Sequence, residues 1–128
     1  MILLLDTHLL LWAAGQPEKL SPAAREMIAE PRNELWFSAA SLWEITIKRG
    51  LGRADFRADP HLLRRGLVEN DYTELPITST HVMATAHLPP IHKDPFDRVL
   101  IAQAQSEGAL LITCDDVVAR YPGPIHRV

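Results

Sequence analysis

MILLLDTHLLLW, residues 1–12, is the stretch that decides the fold. Residues 2–5 are an apolar run too short for a helix and suited to a strand covered on both faces, the mark of a parallel sheet. Thr7 to Ala14 then reads as a short helix closed by Gly15. Between the two stands Asp6, a lone carboxylate in an oily stretch. A charge stranded in a core is strongly unfavourable, so its position calls for a reason. In open parallel sheets the ligand crevice lies beyond the carboxyl ends of the strands, and Asp6 directly follows the first strand.

Outward from this unit the alternation repeats. Ser21 before Pro22 is an N-cap with proline at the first helical position, and Pro31 ends that helix. ELWFS (34–38) is a second strand candidate. AASLWEITIKRG (39–50) follows, with Leu42, Trp43, Ile45, Ile47 and Leu51 at helical spacings before Gly50 and Gly52 loosen the chain. Asp59 and Pro60 repeat the cap-then-proline device ahead of HLLRRGLVEN (61–70). ELPI (74–77) is a third strand, and Thr78 or Ser79 can cap a helix running toward Pro89 and Pro90. Asp94 and Pro95 launch FDRVLIAQAQSEG (96–108), with Gly108 as its C-terminal stop. ALLIT (109–113) is a fourth strand, followed by Asp115, a short helical turn and the tail PIHRV (124–128). Strands alternating with helices over short links predict an α/β fold, a central parallel sheet of about four to five strands covered by helices on both faces. No repeat, low-complexity stretch or linker interrupts residues 1–128, which read as one domain.

Composition narrows the class. At 128 residues the chain can bury roughly two-thirds of its unfolded surface around one core. With 47% hydrophobic and 23% charged residues it is neither disordered nor fibrous. The sole cysteine, Cys114, cannot bridge internally, which fits a reducing compartment. The N-terminus lacks the basic region of a secretory signal, and Asp6 and His8 interrupt its apolar run, so the expectation is a cytoplasmic protein. No segment approaches the roughly 18 to 20 apolar residues of a membrane span. A net charge of −3 does not fit a dedicated nucleic-acid binder, yet residues 48–65 hold six basic side chains against two acidic ones. That stripe can track phosphates, or it can be a solvated face of helix and loop.

Asp115 follows the fourth strand as Asp6 follows the first; Glu44 lies in the helix after the second strand, and Asp97 in the first turn of the helix that Asp94 opens. Each has a plainer use. Asp6 and Asp94 can be helix caps, Glu44 can pair with Ser41 in a capping box or with Lys48 at i,i+4, and Asp97 can favour the helix dipole. Asp115 is harder to assign in this way, because Asp116 beside it can do the capping. Together, all the acids fall at the same end of a strand or helix, and four can meet at one sheet edge. Two like charges 4 Å apart repel by roughly 4 kcal/mol at an effective dielectric of 20, and a divalent cation removes that repulsion. Oxygen-only ligands select hard ions, Mg²⁺ or Mn²⁺. A water activated by such an ion can attack a phosphodiester in line.

LLLDTHLLLW (3–12), SAASLWEITIK (38–48), KDPFDRVLIAQA (93–104) and LITCD (111–115) resemble, in order and spacing, the four acidic motifs of PIN-domain ribonucleases, and most nearly those of the VapC-type toxins of bacterial toxin–antitoxin pairs. The resemblance runs almost from end to end. It implies a PIN-like three-layer α/β/α fold and a Mg²⁺- or Mn²⁺-dependent endoribonuclease with Asp6, Glu44, Asp97 and Asp115 as the acidic quartet. Asp94 is similar to an acid common in the DPFDR branch and is implied as a ligand, a supporting group or only a cap. The resemblance further implies an RNA substrate, an antitoxin whose segment enters the acidic groove, and a homodimer. Lys48, Arg49 and Arg98 are the candidates for contact with RNA, and for Arg98 an ion pair with a neighbouring acid is the plainer use. Thr7 and Thr113 can orient carboxylates through their hydroxyls.

Two rival classes remain on the sequence alone, a domain that binds RNA or a protein partner without cutting and a receiver-like phosphoacceptor. Asp6 lacks the adjoining second acid that a phosphoacceptor site uses, since Thr7, His8 and Leu9 follow it. His81 and His87 are six apart and share no helix face, which argues against zinc. Trp12, Trp36 and Trp43 stand in apolar periodic stretches, where large aromatics belong to the core more often than to a base-stacking surface. There is no glycine-rich phosphate loop.

Overall fold

The computed structural model describes residues 1–128. Five strands, β1 (Ile2–Leu5), β2 (Glu34–Ser38), β3 (Thr73–Leu75), β4 (Leu110–Thr113) and β5 (Ile125–Arg127), form one sheet in the order β3-β2-β1-β4-β5. Every neighbouring pair is parallel. The oily run at the N-terminus is the central strand, buried on both faces as its composition requires.

Alternation along β1 divides the core in two. Leu3 and Leu5, with Phe37 and Ile112, pack under α1 (Thr7–Gly15), α2 (Pro22–Ala29) and α4 (Pro60–Glu69) through Leu9, Leu10, Ala24, Leu63 and Leu67. Leu4 and Leu111 point the other way and pack under α6 (Pro95–Glu107) through Leu100, Ile101 and Ala104. Between them, α3 (Ala39–Gly50) gives Ile45 to the first core and Ala40 to the second. The result is three layers, helices on both faces of a parallel sheet.

The capping devices fold as the sequence predicts. Ser21 Oγ accepts the Ala24 amide at 3.1 Å, Asp59 Oδ1 the His61 amide at 2.8 Å, and Asp94 Oδ1 the Phe96 amide at 2.9 Å. Thr78, not Ser79, caps α5 (Ser79–Ala84), in a reciprocal box with His81. Gly108 ends α6 in the left-handed conformation at φ 68°.

Three local expectations change. The tail, given no element from the sequence, adds the fifth strand, β5, by pairing Ile125, His126 and Arg127 alongside β4; a three-residue strand at a sheet edge leaves too short a pattern to detect. The third strand is Thr73–Leu75, because Pro76 has no amide to continue the ladder. In α3 the apolar spacing misleads: Trp43 is 58% exposed and Leu51 75%, while Ser41 and Glu44 are buried. The inward face of that helix carries the polar residues of the site, and Trp43 and Ile47, four apart, share the outward one.

Candidate active site

Beyond the C-terminal edge of the sheet, Asp6, Glu44, Asp94, Asp97 and Asp115 line one pocket of about 190 Å³, with Thr7, His8, Lys48, His92 and Cys114. Larger clefts of about 350 and 580 Å³ exist elsewhere, but their linings are mostly apolar and lack these acids.

Each acid is held by its own element. Asp6, at the end of β1, accepts the Leu9 amide on Oδ1 at 2.9 Å, so it does cap α1. Its second oxygen accepts the Thr113 hydroxyl of β4 at 2.5 Å. Burial pushes the Asp6 carboxyl above its usual range, and these two hydrogen bonds counter that only in part. Thr7 donates its hydroxyl to Glu44 Oε1 at 2.6 Å and lies 3.0 Å from Ser41 Oγ. Its hydroxyl therefore orients a carboxylate, and the cap belongs to Asp6.

Glu44 is 3% exposed. Its other oxygen receives Lys48 Nζ at 2.5 Å, the i,i+4 pair foreseen in the sequence, and Lys48 reaches on to Asp94 Oδ2 at 3.3 Å. Burial works against the Lys48 ammonium, but Glu44 and Asp94 outweigh it and hold its pKa above the usual lysine value. The same ammonium lies 5.0 Å from the centroid of Phe56.

Asp97 faces the pocket from the first turn of α6. Burial first, and then the negative charges of Asp94, Glu44, Asp6 and Asp115, push its carboxyl up to about 8. Asp115 places Oδ1 on the Val117 amide at 2.8 Å and keeps a side chain 42% exposed. It is therefore the acid most open to an incoming molecule. Burial also raises the Cys114 thiol, to about 11, with the Asp6 charge adding to the effect.

The residue missed in the sequence is His92. Its Nδ1 accepts the Asp94 amide at 3.2 Å, which places the proton on Nε2, 2.9 Å from Asp97 Oδ2 and 3.8 Å from Asp115 Oδ2. One ligand atom from each of His92, Asp97 and Asp115 lies within 4.8 Å of the others. The only signal was its place two residues before Asp94, in the loop that enters α6.

Lys48 lies in the pocket, whereas Arg49 is exposed on the last turn of α3. Arg98 faces away from the acids. Its guanidinium donates to the carbonyls of Thr85, Leu88, Pro89 and His92 and to the Tyr121 hydroxyl, so it pins the 85–92 segment rather than pairing with a carboxylate. In the basic stripe, Arg53 pairs with Asp55 and Arg64 with Glu74. Arg49, Arg57 and Arg65 form no such pair.

The donor set suits a divalent cation on chemical grounds. Several carboxylate oxygens converge, one of them held by the protonated Nε2 of His92, and burial together with the neighbouring negative charges keeps Asp97 from ionising. The acids thus lie where open parallel α/β sheets carry their ligand crevice, beyond the carboxyl ends of the strands. The chain belongs to the PIN domain family, whose model matches residues 3–124.

Among solved structures the fold is similar to a chain of VapBC2 from Rickettsia felis bound to a DNA fragment from their promoter, with TM-score 0.70, 14% identity, and coverage of 99% of this chain and 98% of that one. It is also similar to a chain of DNA-bound VapBC from Salmonella typhimurium, with TM-score 0.68, 17% identity and coverage of 99% and 98%. A third likeness is to VapBC-5 from Mycobacterium tuberculosis, with TM-score 0.63, 17% identity and coverage of 99% and 97%. No curated protein matches the sequence significantly.

Proposed function

We propose that the protein is a metal-dependent endoribonuclease, the VapC-type toxin of a type II toxin–antitoxin pair, acting in the cytoplasm as one domain. The observation that carries this reading is the convergence of Asp6, Glu44, Asp97 and Asp115 on a single pocket, with Asp94 at its rim. Those four would hold Mg²⁺ or Mn²⁺, with His92 beside Asp97 and Asp115. When bound, the ion lowers the pKa of a coordinated water and stabilises charge on the leaving oxygen.

The chain's own residues supply the rest. Thr113 and the Leu9 amide fix both oxygens of Asp6, and Thr7 fixes Glu44, so two acids are set before any ligand arrives. His92 holds Asp97 by donating from Nε2. Asp115, the most open acid, takes the proton of the attacking water as the bond from phosphorus to the departing ribose oxygen breaks. Lys48, released from Asp94, meets a non-bridging phosphate oxygen, and Arg49 supports the strand beyond.

The likeness to chains of VapBC complexes supports an antitoxin partner. So does an exposed apolar patch in which the Trp43 ring meets Phe96 edge-on at 5.1 Å, with Val82 53% exposed nearby. The antitoxin and a second copy of the chain are both candidates for that patch.

Purified protein incubated with RNA and Mg²⁺ should cleave it, and both EDTA and Asp6→Asn should abolish the cleavage. Tight binding of RNA or antitoxin with no turnover on any RNA would replace this reading with that of a non-cutting binding domain.

A further inference from the structure

Next to the acid pocket lies a second depression of about 450 Å³, bounded by α1, the turn Pro17–Lys19 and the connection after α3. Its lining includes His8, Trp12, Lys19, Asp55 and Arg57, and His8 lines the acid pocket as well, so the two are neighbours across one side chain.

Its chemistry is unlike that of the pocket it adjoins. Lys19 and Arg57 are exposed and have no ion-pair partner, while Asp55, the one acid, is taken up by Arg53 and His8. Trp12 is half-buried, its ring tilted 50° to the His8 imidazole at 6.0 Å, and it packs against the core while lining the depression. The part of the ring left uncovered therefore faces the depression it lines.

A polyanionic strand is repelled by a cluster of carboxylates and cannot be retained by them alone. Cations a short way along its path, with an aromatic platform between, meet that need. α1, which spans the groove, is roughly 13 Å long at 1.5 Å per residue, so the cationic end stands clear of the acids.

We propose that this groove is a nucleotide subsite for single-stranded RNA flanking the scissile phosphate, with Trp12 and His8 stacking on a base and Lys19 and Arg57 pairing with the backbone. The proposal rests on the nuclease reading of the adjoining pocket. An unpaired strand is required, because a base inside a duplex has no free face to stack.

The test is fluorescence anisotropy of a labelled eight-nucleotide single-stranded RNA with the full chain in EDTA, where binding is read apart from cleavage. Lys19→Glu with Arg57→Glu should weaken binding at least tenfold and flatten the slope of log K against log salt by about 1.4, at about 0.7 per single-strand phosphate contact. Trp12→Leu should weaken it by about tenfold, and Trp12→Phe, which keeps a stacking face, by no more than about threefold. Arg25→Glu with Arg120→Glu, the same charge change on exposed sites outside both the groove and the basic stripe, should leave affinity within about twofold on the same electrostatic argument.

If Trp12→Leu fails to fold, Trp12→Phe and the charge reversals still decide. Affinity and salt slope unmoved by the groove reversals would overturn the subsite, as would a duplex or an acidic peptide that competes as well as the single strand. RNA that binds through these residues but is never cut with Mg²⁺ would sink the nuclease reading and leave the subsite standing. Cleavage that proceeds with KM unmoved by the groove variants would do the reverse.

Discussion

Replacing Asp97 by Asn should make the protein more stable and inactive at once. The Asp97 carboxyl is displaced from its ordinary 3.8 to about 8. A carboxyl whose pKa is raised on folding contributes its full stability below the unfolded value and loses it as pH climbs through the folded one. At about 1.36 kcal/mol per unit, the raised pKa of Asp97 lowers stability by up to about 6 kcal/mol above pH 8, and holding it protonated at pH 7 still lowers stability by about 4 kcal/mol. Asn cannot ionise, and its carbonyl still accepts from His92 Nε2. Burying the side-chain amide N–H groups of Asn without a partner offsets part of this gain, about 1 to 2 kcal/mol. The net gain at pH 7 in EDTA is about 2 kcal/mol, a rise in Tm of roughly 5 to 10 °C for a chain of this size. In calorimetric scans from pH 5 to 8 in EDTA, the native chain should lose stability with pH and Asp97→Asn should stay nearly level. Saturating Mg²⁺ should then restore the native chain by about 2.7 kcal/mol at a hundred times Kd and leave the variant unmoved. A variant less stable than the native chain in EDTA at pH 7 to 8, or one that gains as much from Mg²⁺, would refute the electrostatic argument.

Three further outcomes follow from particular contacts. Thr113→Val removes the hydroxyl donated to buried Asp6 and the acceptor for the Asp115 amide; urea denaturation should show a loss of about 2 kcal/mol with an unchanged m value. Arg98→Ala should lower stability by about 3 kcal/mol and speed hydrogen exchange in residues 85–92, and Arg98→Lys should not rescue it, since an ammonium cannot span the same acceptors. A fold left intact with RNA affinity lost would instead make Arg98 a substrate contact. With its thiol held near 11, Cys114 should react with iodoacetamide at pH 8 about a hundredfold more slowly than a thiol of ordinary pKa.

How much of this was legible in the sequence depended on which signals repeat. The parallel architecture was legible because ILLL and LLIT, the two central strands, are short and apolar throughout, and because proline follows a capping residue at Pro22, Pro60 and Pro95. β5 was not, since a three-residue edge strand with two exposed side chains carries no period. His92 was not, because a loop residue has no face, and only folding brings residues 92, 97 and 115 together. The partners of Arg98 were not legible for the same reason. Its acceptors are main-chain carbonyls, and a sequence does not show where carbonyls point.

The plain and the functional uses of the acids, set against each other in the sequence, turn out to be compatible because a carboxylate has two oxygens. Asp6 caps α1 with one and meets Thr113 in the pocket with the other. Asp94 caps α6 with one and reaches Lys48 with the other. Glu44 gives one oxygen to Thr7 and the other to Lys48, and Asp115 divides its own between the Val117 amide and the space before His92. Helix capping therefore does not compete with the site; it fixes the orientation of each side chain that enters it. A cap substitution at Asp6 or Asp94 that preserves the helix, such as Ser, should accordingly cost little stability, a few tenths of a kcal/mol to about 1 kcal/mol. If the pocket works as proposed, Asp6→Ser should still abolish cleavage, which separates the two uses of one side chain in a single variant.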